Sequence, residues 1–340
     1  MPNCGNASIA SAATKSTASH VNFGLAAMHV SLNIFQFFVL PMFLLPQNAW
    51  WAAAAVPIAL LNNPFWALIH ETIHDLFHPS PVMNSAAGRL LAIFFGAPFH
   101  VLRLTHLSHH KFNRSPLEKG TEIYDPAKVS RLHAGIGYFC YIFCGLYLLE
   151  IFSTVLFLLP GRLFRKLRRR VADGGNLQQR WLARKFMDDN LVEEVRVDSV
   201  LIWLLLAVSA FCYRRHWPVL AGILTARIFL ISFMDNIYHY RTPLHATVSG
   251  HNLRLPPSVS TLLLYFNLHR VHHRHPNVPW LGLPEVFAEE AEKFDRPFLC
   301  AAVDQLRGPL PMTAVAPAPP VIARPKSPQT FAASEDMAHS

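Results

Sequence analysis

Long apolar stretches constrain this chain of 340 residues more than any other feature of its sequence. Residues 21–45 and 49–69 are each close to the ~20 residues that a helix needs to cross the hydrocarbon core of a bilayer. Only 15% of the residues are charged, whereas a typical soluble domain carries about 25%. The sequence therefore predicts an all-α integral membrane protein, although the length alone would allow two soluble domains.

The apolar stretches group into two predicted helical hairpins. We expect about four transmembrane helices, at residues 21–45, 49–69, 200–213 and 217–237. Residues 86–101 are apolar but short and contain Gly96 and Pro98, which favours a re-entrant or interfacial segment.

Both chain ends differ in composition from the rest. Residues 1–20 are rich in Ser and Ala, and residues 308–340 are rich in Pro and Ala, so we predict disordered tails flanking one membrane domain at residues 21–307.

No cleavable signal peptide is predicted, because the first apolar stretch is long enough to remain as a span. The five cysteines form no C-x-x-C motif, so we predict neither a disulfide framework nor a sulfur metal site.

The net charge is +9, and much of the excess lies in residues 162–185. Beside apolar spans, such a basic run is more typical of the cytoplasmic face of a membrane than of a nucleic-acid site.

Eight histidines stand in three groups, each beside a long apolar stretch. The groups are His70-Glu-Thr-Ile-His74, His106-Leu-Ser-His109-His110 and His269-Arg-Val-His272-His273. On a helix, residues i, i+3 and i+4 share a face, so each group can aim its rings at one point. Two copies of H-x-x-H-H and one H-x-x-x-H therefore predict a site for one or two metals, and all-imidazole sites suit iron, copper, zinc and nickel.

A single metal site requires all three groups to lie on one side of the membrane. Both hairpins return to their starting side, so the apolar segments 86–101 and 132–159 should each make no net crossing. We therefore expect residues 132–159 to form a long helix that lies in the interface or dips into the bilayer. The third histidine group is predicted on a later helix, at about residues 261–275.

The first histidine group also satisfies H-E-x-x-H, the signature of zinc proteases, in which Glu71 would act as the general base. This interpretation leaves the six histidines of the other two groups largely without a role. A membrane zinc metalloprotease is therefore kept only as a remote alternative, and a non-catalytic metal transporter as another.

The three groups, their order and their placement after a membrane hairpin resemble the membrane fatty acid desaturase family, whose relatives include hydroxylases and decarboxylases. The resemblance covers roughly residues 50–290. It implies a non-haem di-iron centre on the cytoplasmic face, with two Fe as cofactor and O2 as co-substrate. It also implies a fatty acid, an acyl thioester or an acyl lipid as substrate, held among membrane lipids.

In this family a further ligand comes from an N-x-x-x-H pattern at the end of the last span. Here the corresponding segment is Asp235-Asn-Ile-Tyr-His239, so the resemblance makes His239 the ninth imidazole ligand. Asp235 occupies the position of the asparagine. It is predicted either to bind or support the metal, since an ionisable residue within a membrane is a functional candidate, or to pair with Arg227, or to cap the next segment.

The resemblance implies that the nine histidines carry the reaction. This reaction is desaturation or, as alternatives, hydroxylation or oxidative decarboxylation to a terminal alkene. The predicted metal ligands are His70, His74, His106, His109, His110, His239, His269, His272, His273 and Asp235. Each turnover needs two external electrons, and the sequence contains no fused cytochrome b5-like, ferredoxin or flavin domain. A separate ferredoxin, rubredoxin or cytochrome is therefore implied as electron donor.

Three carboxylates near the histidine groups are candidates to hold the ligand rings through their second N–H, namely Glu71, Asp75 and Glu285. Asn267 and Tyr238 are further candidates. By contrast, His78, His100 and His275 break the shared-face spacing and are not expected to bind metal.

Overall fold

The computed structural model describes residues 4–315 of the chain, and the side chains from residue 18 onward. This part of the chain is mostly helical. Its α-helices are α1 (Cys4–Ile34), α2 (Ala55–Leu60), α3 (Asn62–Ile73), α4 (Pro81–Phe95), α5 (Phe99–Phe112), α6 (Arg131–Cys140), α7 (Leu146–Phe157), α8 (Gly161–Gly174), α9 (Leu177–Lys185), α10 (Asp189–Tyr213), α11 (Trp217–Ile237), α12 (Pro257–Leu262), α13 (His269–Arg274), α14 (Leu283–Glu289) and α15 (Phe298–Asp304).

Strand structure in the described residues is limited to two short parallel pairs. The strands are β1 (Ile123–Tyr124), β2 (Leu253–Arg254), β3 (Arg296–Pro297) and β4 (Leu310–Pro311). Ile123 pairs with Leu310, and Leu253 pairs with Arg296. These pairs join loops rather than build a sheet, so the fold is carried by helices.

Three helices are long and apolar enough to cross a membrane, and the number rises to five if each of two bent helix pairs is one span. The three are Ala18–Leu44, Arg131–Phe157 and Asp189–Ile237. The first continues α1 through a π-helical segment, Phe35–Leu44. The bent pairs are Ala49–Leu60 with Asn62–Ile73, at 41°, and Pro81–Phe95 with Phe99–Phe112, at 100°.

The stretch from Asp189 to Ile237 reverses direction at Arg214. A straight helix of 49 residues would be about 74 Å long. However, His100 of α5 lies 2.7 Å from Glu194 near the start of α10, and His109 of α5 lies 3.1 Å from His239, just past α11. Arg214 has a positive φ of 45° and provides the turn between α10 and α11. The predicted second hairpin is therefore confirmed.

The helix Arg131–Phe157, which we call the α6–α7 helix, joins α6 to α7 through the π-helical turn Tyr141–Gly145. Both of its ends contact the open end of the α10–α11 hairpin. The Tyr138 hydroxyl lies 3.1 Å from the Asn236 amide in the last turn of α11, and the Phe157 carbonyl accepts a hydrogen bond from Arg196 of α10 at 3.0 Å. The α6–α7 helix thus begins and ends at the same end of the hairpin.

The predicted interruption at Gly96 and Pro98 is confirmed. Gly96 ends α4 in the left-handed conformation, with φ of 100°, and Pro98 stands at the start of α5. Glycine adopts this φ without the steric penalty that a Cβ would bring. The 100° bend that results redirects the second histidine group toward α3.

Arg227 of α11 joins four helices through buried hydrogen bonds. Its guanidinium donates to Asn62 of α3 at 2.7 Å, to Asn33 of α1 at 2.9 Å, and to the carbonyl oxygens of Phe94 and Phe95 in α4 at 2.7 and 3.0 Å. Every nitrogen of the guanidinium therefore has a partner, as a buried charge requires. The predicted ion pair between Arg227 and Asp235 is wrong.

Three further sequence predictions differ from the structure. Helix α1 starts at Cys4, inside the predicted tail 1–20, where Ala-rich sequence favours helix. Residues 308–315 are ordered, because β4 pairs with β1; residues 316–340 lie outside the described part. The helix expected at 261–275 is split into α12 and α13, since the Asn267 side chain bonds Ser260 and the Leu253 carbonyl and holds the intervening residues out of helix.

Candidate metal centre

The helices bring the three histidine groups together at one end of the molecule. α3 carries His70 and ends next to His74, α5 carries the second group, and α13 carries the third. His239 follows the last turn of α11. All nine predicted imidazoles fall into two sets whose ligand atoms lie within 4.8 Å of one another.

The first set contains His70, His74, His106, His110 and His272. Its Nε2 atoms form a chain of close approaches: His74 to His106 at 3.1 Å, His106 to His110 at 3.0 Å, and His110 to His272 at 3.1 Å. The ring of His70 packs against that of His272, with centroids 4.4 Å apart. Five imidazoles from α3, α5 and α13 therefore converge on one point.

The second set contains His109, His239, His269 and His273. Here Nε2 of His239 lies 3.1 Å from that of His109 and 2.9 Å from that of His269, which lies 3.1 Å from that of His273. His106 and His110 belong to the first set, so the H-x-x-H-H motif of α5 divides its rings between both sets.

These distances fit metal coordination. Two nitrogen ligands at right angles about an ion, each about 2.1 Å from it, lie about 3 Å apart. The Nε2 atom of His70 is buried and has no hydrogen-bond partner among the described residues, which is unusual for a buried polar atom. An ion within each set would satisfy these nitrogens. The donor set therefore fits two metal ions, one per set.

Burial keeps the ligands in the form that binds metal. Desolvation lowers the pKa of His239, His269, His272 and His273 well below 6.5, and the neighbouring histidines lower it further. The pKa of His74 falls to about 3, mainly through burial and then through the charge of Arg103. Neutral imidazoles have a free lone pair at neutral pH, as a metal site requires.

A carboxylate that the sequence did not single out orients one ligand. Nδ1 of His109 lies 2.5 Å from a carboxylate oxygen of Glu118, and the other oxygen of Glu118 accepts a hydrogen bond from Gln178 of α9 at 2.7 Å. A carboxylate that accepts from Nδ1 leaves Nε2 free for a metal. Glu118 lies in the loop after α5, where helical spacing carries no signal.

The three carboxylates predicted for this role do not contact the histidine rings. Glu71 is 4% exposed and accepts a hydrogen bond from the backbone N–H of Trp280, so it does not stand as a base beside the histidines. Asp75 pairs with Arg103 at 2.5 Å, and Glu285 is exposed. Each was expected from its closeness in sequence to a histidine group, but closeness in sequence does not set the direction of the side chain.

The three histidines that break the shared-face spacing contact groups outside both sets. His78 accepts from the backbone of Ser80, His100 pairs with Glu194, and His275 pairs with Glu290. The Asn267 side chain binds the Leu253 carbonyl, whereas the ring of Tyr238 packs on the ligand His269 with centroids 4.9 Å apart.

Ion pairs between Arg270 and the acidic residues Glu292 and Asp295 form a clamp that holds α13. Arg270, next to the ligand His269, bonds Glu292 and Asp295 at 2.6 Å each. Burial raises the pKa of Asp295, but the nearby His251 and the hydrogen bonds from Arg270 and from the Asn252 backbone outweigh it and lower the pKa to about 2. This clamp fixes the third histidine group although α13 has only six residues.

Asp235 belongs to neither set of ligand atoms. It lines two cavities that reach the histidines. One, of about 340 Å³, contacts His109 and His239; the other, of about 230 Å³, contacts His106 and His109. Its role as a metal ligand therefore remains a prediction from the sequence, and its position favours contact with whatever occupies these cavities.

With this geometry in view, the comparison with protein families decides the class. The family described as "Fatty acid desaturase" matches residues 48–300. The chain belongs to the fatty acid desaturase family. The match includes all nine imidazoles and both cavities, and it makes the protein an oxidoreductase-type enzyme of a membrane-bound family.

Curated relatives resemble this chain over short stretches, which cover less than a fifth of either protein. A "Probable fatty acid desaturase DES1" of Sorghum bicolor is 36% identical over 64 residues, which are 18% of this chain and 16% of that protein. A "Delta(12) fatty acid desaturase" of Mortierella isabellina and another of Mortierella alpina are each 31% identical over 61 residues, 18% of this chain and 15% of theirs. No solved structure gives a significant match.

Proposed function

We propose that this desaturase-family protein is an O2-dependent di-iron enzyme that introduces a double bond into an acyl chain. The observation that carries the proposal is the convergence of nine imidazoles in two sets, in which neighbouring Nε2 atoms lie 2.9–3.1 Å apart along each chain of close approaches. Two iron ions supply, with O2, the oxidising power that acid and base groups lack for an unactivated C–H bond.

The first set, with five imidazoles, would hold one iron, and the second set, with four, would hold the other. Glu118 holds the Nδ1 proton of His109, so that ring keeps one tautomer. The substrate, a fatty acid, an acyl thioester or an acyl lipid, would enter the cavity of about 230 Å³ beside His106 and His109. Trp66, Leu102 and Ile231 form its apolar wall and fix the chain relative to both sets.

Desaturation of one C–C bond with O2 consumes two electrons and two protons and releases two waters, so an external donor is part of the proposal. Helices α8 and α9 carry an exposed basic surface that suits an acidic ferredoxin, rubredoxin or cytochrome. Its exposed cations are Arg162, Arg165, Lys166, Arg169, Arg170, Arg184 and Lys185. Gln178 of α9 contacts Ser108 of α5, so this surface lies over the helix of the second histidine group.

The same basic surface supports a cytoplasmic position for the histidines. Positive residues near spans favour the cytoplasmic side, and α9 lies at the histidine end. Because the α6–α7 helix begins and ends at one end of the hairpin, we place it along that interface rather than across the bilayer. This gives about four crossings, with a helical cap over the metal ligands.

Expression in a host of known lipid composition tests the reaction. We expect a fatty acid two mass units lighter than its precursor, formed only in the presence of O2 and absent with His272→Ala. A product sixteen units heavier would indicate hydroxylation, and a terminal alkene would indicate decarboxylation. Iron-loaded protein that yields no new lipid would contradict the proposal, as would peptide cleavage without O2.

A further inference from the structure

Two carboxylates of the membrane helices face the cavity of about 230 Å³ beside the histidines. Glu150 comes from α7 and Asp235 from α11, and both line the cavity together with His106 and His109. Helix α11 belongs to a candidate membrane span, and α7 belongs to the apolar α6–α7 helix that we place along the membrane interface. An ionisable side chain in such a segment is costly and marks a functional site by default.

These two carboxylates differ from Arg227 and Asp198, two buried charged groups of the membrane helices that have partners. Arg227 is fully hydrogen-bonded, and Asp198 pairs with Arg89 at 2.7 Å. The side chains of Glu150 and Asp235 make no hydrogen bond to any residue in the described part of the chain. One oxygen of Glu150, Oε2, is also shielded from solvent.

Glu150 and Asp235 are half-buried. A carboxyl oxygen that is shielded from solvent without a partner, such as Oε2 of Glu150, is costly, and a donor group that fills the site recovers this cost. The residues lining this cavity include no lysine or arginine. A hydrogen-bond donor or a cation therefore fits the carboxyl side of the cavity, whereas a carboxylate head group there would meet three carboxyls, those of Glu118, Glu150 and Asp235, and no lysine or arginine.

An apolar groove lies next to the cavity and has room for the alkyl chain of such a ligand. Tyr141 lines the cavity and also an apolar groove of about 590 Å³ on the outer face of the α6–α7 helix. Leu148, Leu149 and Phe152 line this groove and are exposed. A polar head at Glu150 and Asp235 with an alkyl chain in the groove would match both surfaces.

We propose that this cavity binds the hydroxyl or amino group of a long-chain lipid through Glu150 and Asp235. The inference rests on the proposed function, in which the histidines hold the reacting metal ions. The carbons that react then lie close to the hydroxyl or amino group of the lipid. The substrate is then an alcohol or amine lipid rather than a plain fatty acid with its carboxylate at this end.

Binding of three probes to the purified, iron-loaded full chain in detergent tests this directly, by isothermal titration calorimetry. We expect dodecylamine and 1-dodecanol to bind at least about tenfold more tightly than dodecanoate. If dodecylamine binds more tightly than 1-dodecanol, the two carboxyls carry charge. If 1-dodecanol binds more tightly, the two carboxyls share a proton. Either result supports the site. Dodecanoate binding as tightly as the other two would overturn the inference.

Conservative variants test whether Glu150 and Asp235 bind the probe. Glu150→Gln and Asp235→Asn should each weaken dodecylamine binding about tenfold, whereas Glu193→Gln, an exposed carboxyl on α10, should change nothing. Unchanged binding in both cavity variants would contradict the proposal. Loss of iron from Asp235→Asn would show that Asp235 is a metal ligand instead. Failure of the desaturase reaction itself would appear as an absent lipid product with amine binding intact.

Discussion

At the scale of single residues, the metal centre depends on groups outside the histidine motifs. His109 presents Nε2 to the second set because Glu118 accepts from its Nδ1 at 2.5 Å. Gln178 in turn holds Glu118 at 2.7 Å. A carboxylate in this position makes the imidazole a better ligand and fixes its orientation.

We predict that Glu118→Gln lowers the affinity for the second iron by about tenfold or more, because such supporting contacts typically contribute 10–100-fold. Iron titration followed by absorbance would measure this, with Glu193→Gln as the isosteric control at an exposed site. Equal iron affinity in both variants would remove Glu118 from the centre.

The histidines could be read from the sequence because helical spacing places i, i+3 and i+4 on one face. The assignment of rings to the two sets could not, since it depends on the angles between α3, α5 and α13. Glu118 was missed because it stands in a loop. Glu71 was misjudged because its helix turns it toward Trp280, a contact across 209 residues of sequence that no local pattern reveals.

At the scale of helices, Arg227 joins α1, α3, α4 and α11 in the interior. Replacement by methionine would remove a hydrogen-bond donor from Asn33, Asn62 and two carbonyl oxygens. We predict that Arg227→Met destabilises the protein by at least about 2 kcal/mol, because several buried polar groups lose partners. Thermal unfolding in detergent would show this, and Arg215→Met, at an exposed position, should leave the midpoint unchanged. A similar midpoint in both variants would mean that the network contributes little.

The clamp on α13 gives the third histidine group an acid-sensitive anchor. The pKa of Asp295 is about 2 in the folded protein and about 3.9 in an unfolded chain. Its ionised form therefore stabilises the fold above about pH 4, and this contribution is lost as the pH falls toward 2.

We predict that Asp295→Asn lowers the unfolding temperature at pH 6 and flattens its decline between pH 4 and pH 2. Circular dichroism melting curves at several pH values would measure both effects. Glu289→Gln, an exposed carboxyl at the end of α14, should keep the wild-type profile. A variant Asp295→Asn with the wild-type slope would show that this carboxylate does not anchor α13.

At the scale of the whole molecule, hydropathy alone could predict helical hairpins but not how the α6–α7 helix lies. Its length and composition suit a span as well as an interfacial helix. The deciding contacts, Tyr138 with Asn236 and Phe157 with Arg196, join residues far apart in the chain. Local signals such as Gly96 and Pro98 did predict the bend between α4 and α5.

Single cysteines in a background without native cysteines test this arrangement. We predict that Lys128→Cys, Arg162→Cys and Gln179→Cys react with a membrane-impermeant maleimide from the cytoplasmic side, and Arg215→Cys from the opposite side. Lys128 and Arg162 flank the α6–α7 helix, so labelling from opposite sides would show that this helix crosses the bilayer.

The metal content of the purified chain tests the central claim most directly. Elemental analysis by mass spectrometry should find about two irons per wild-type chain. His272→Ala in the first set and His273→Ala in the second should each retain about one, because each removes a ligand from a different set. Zinc in place of iron, a single metal per chain, or equal loss of both irons from either variant would contradict two separate imidazole-bound irons.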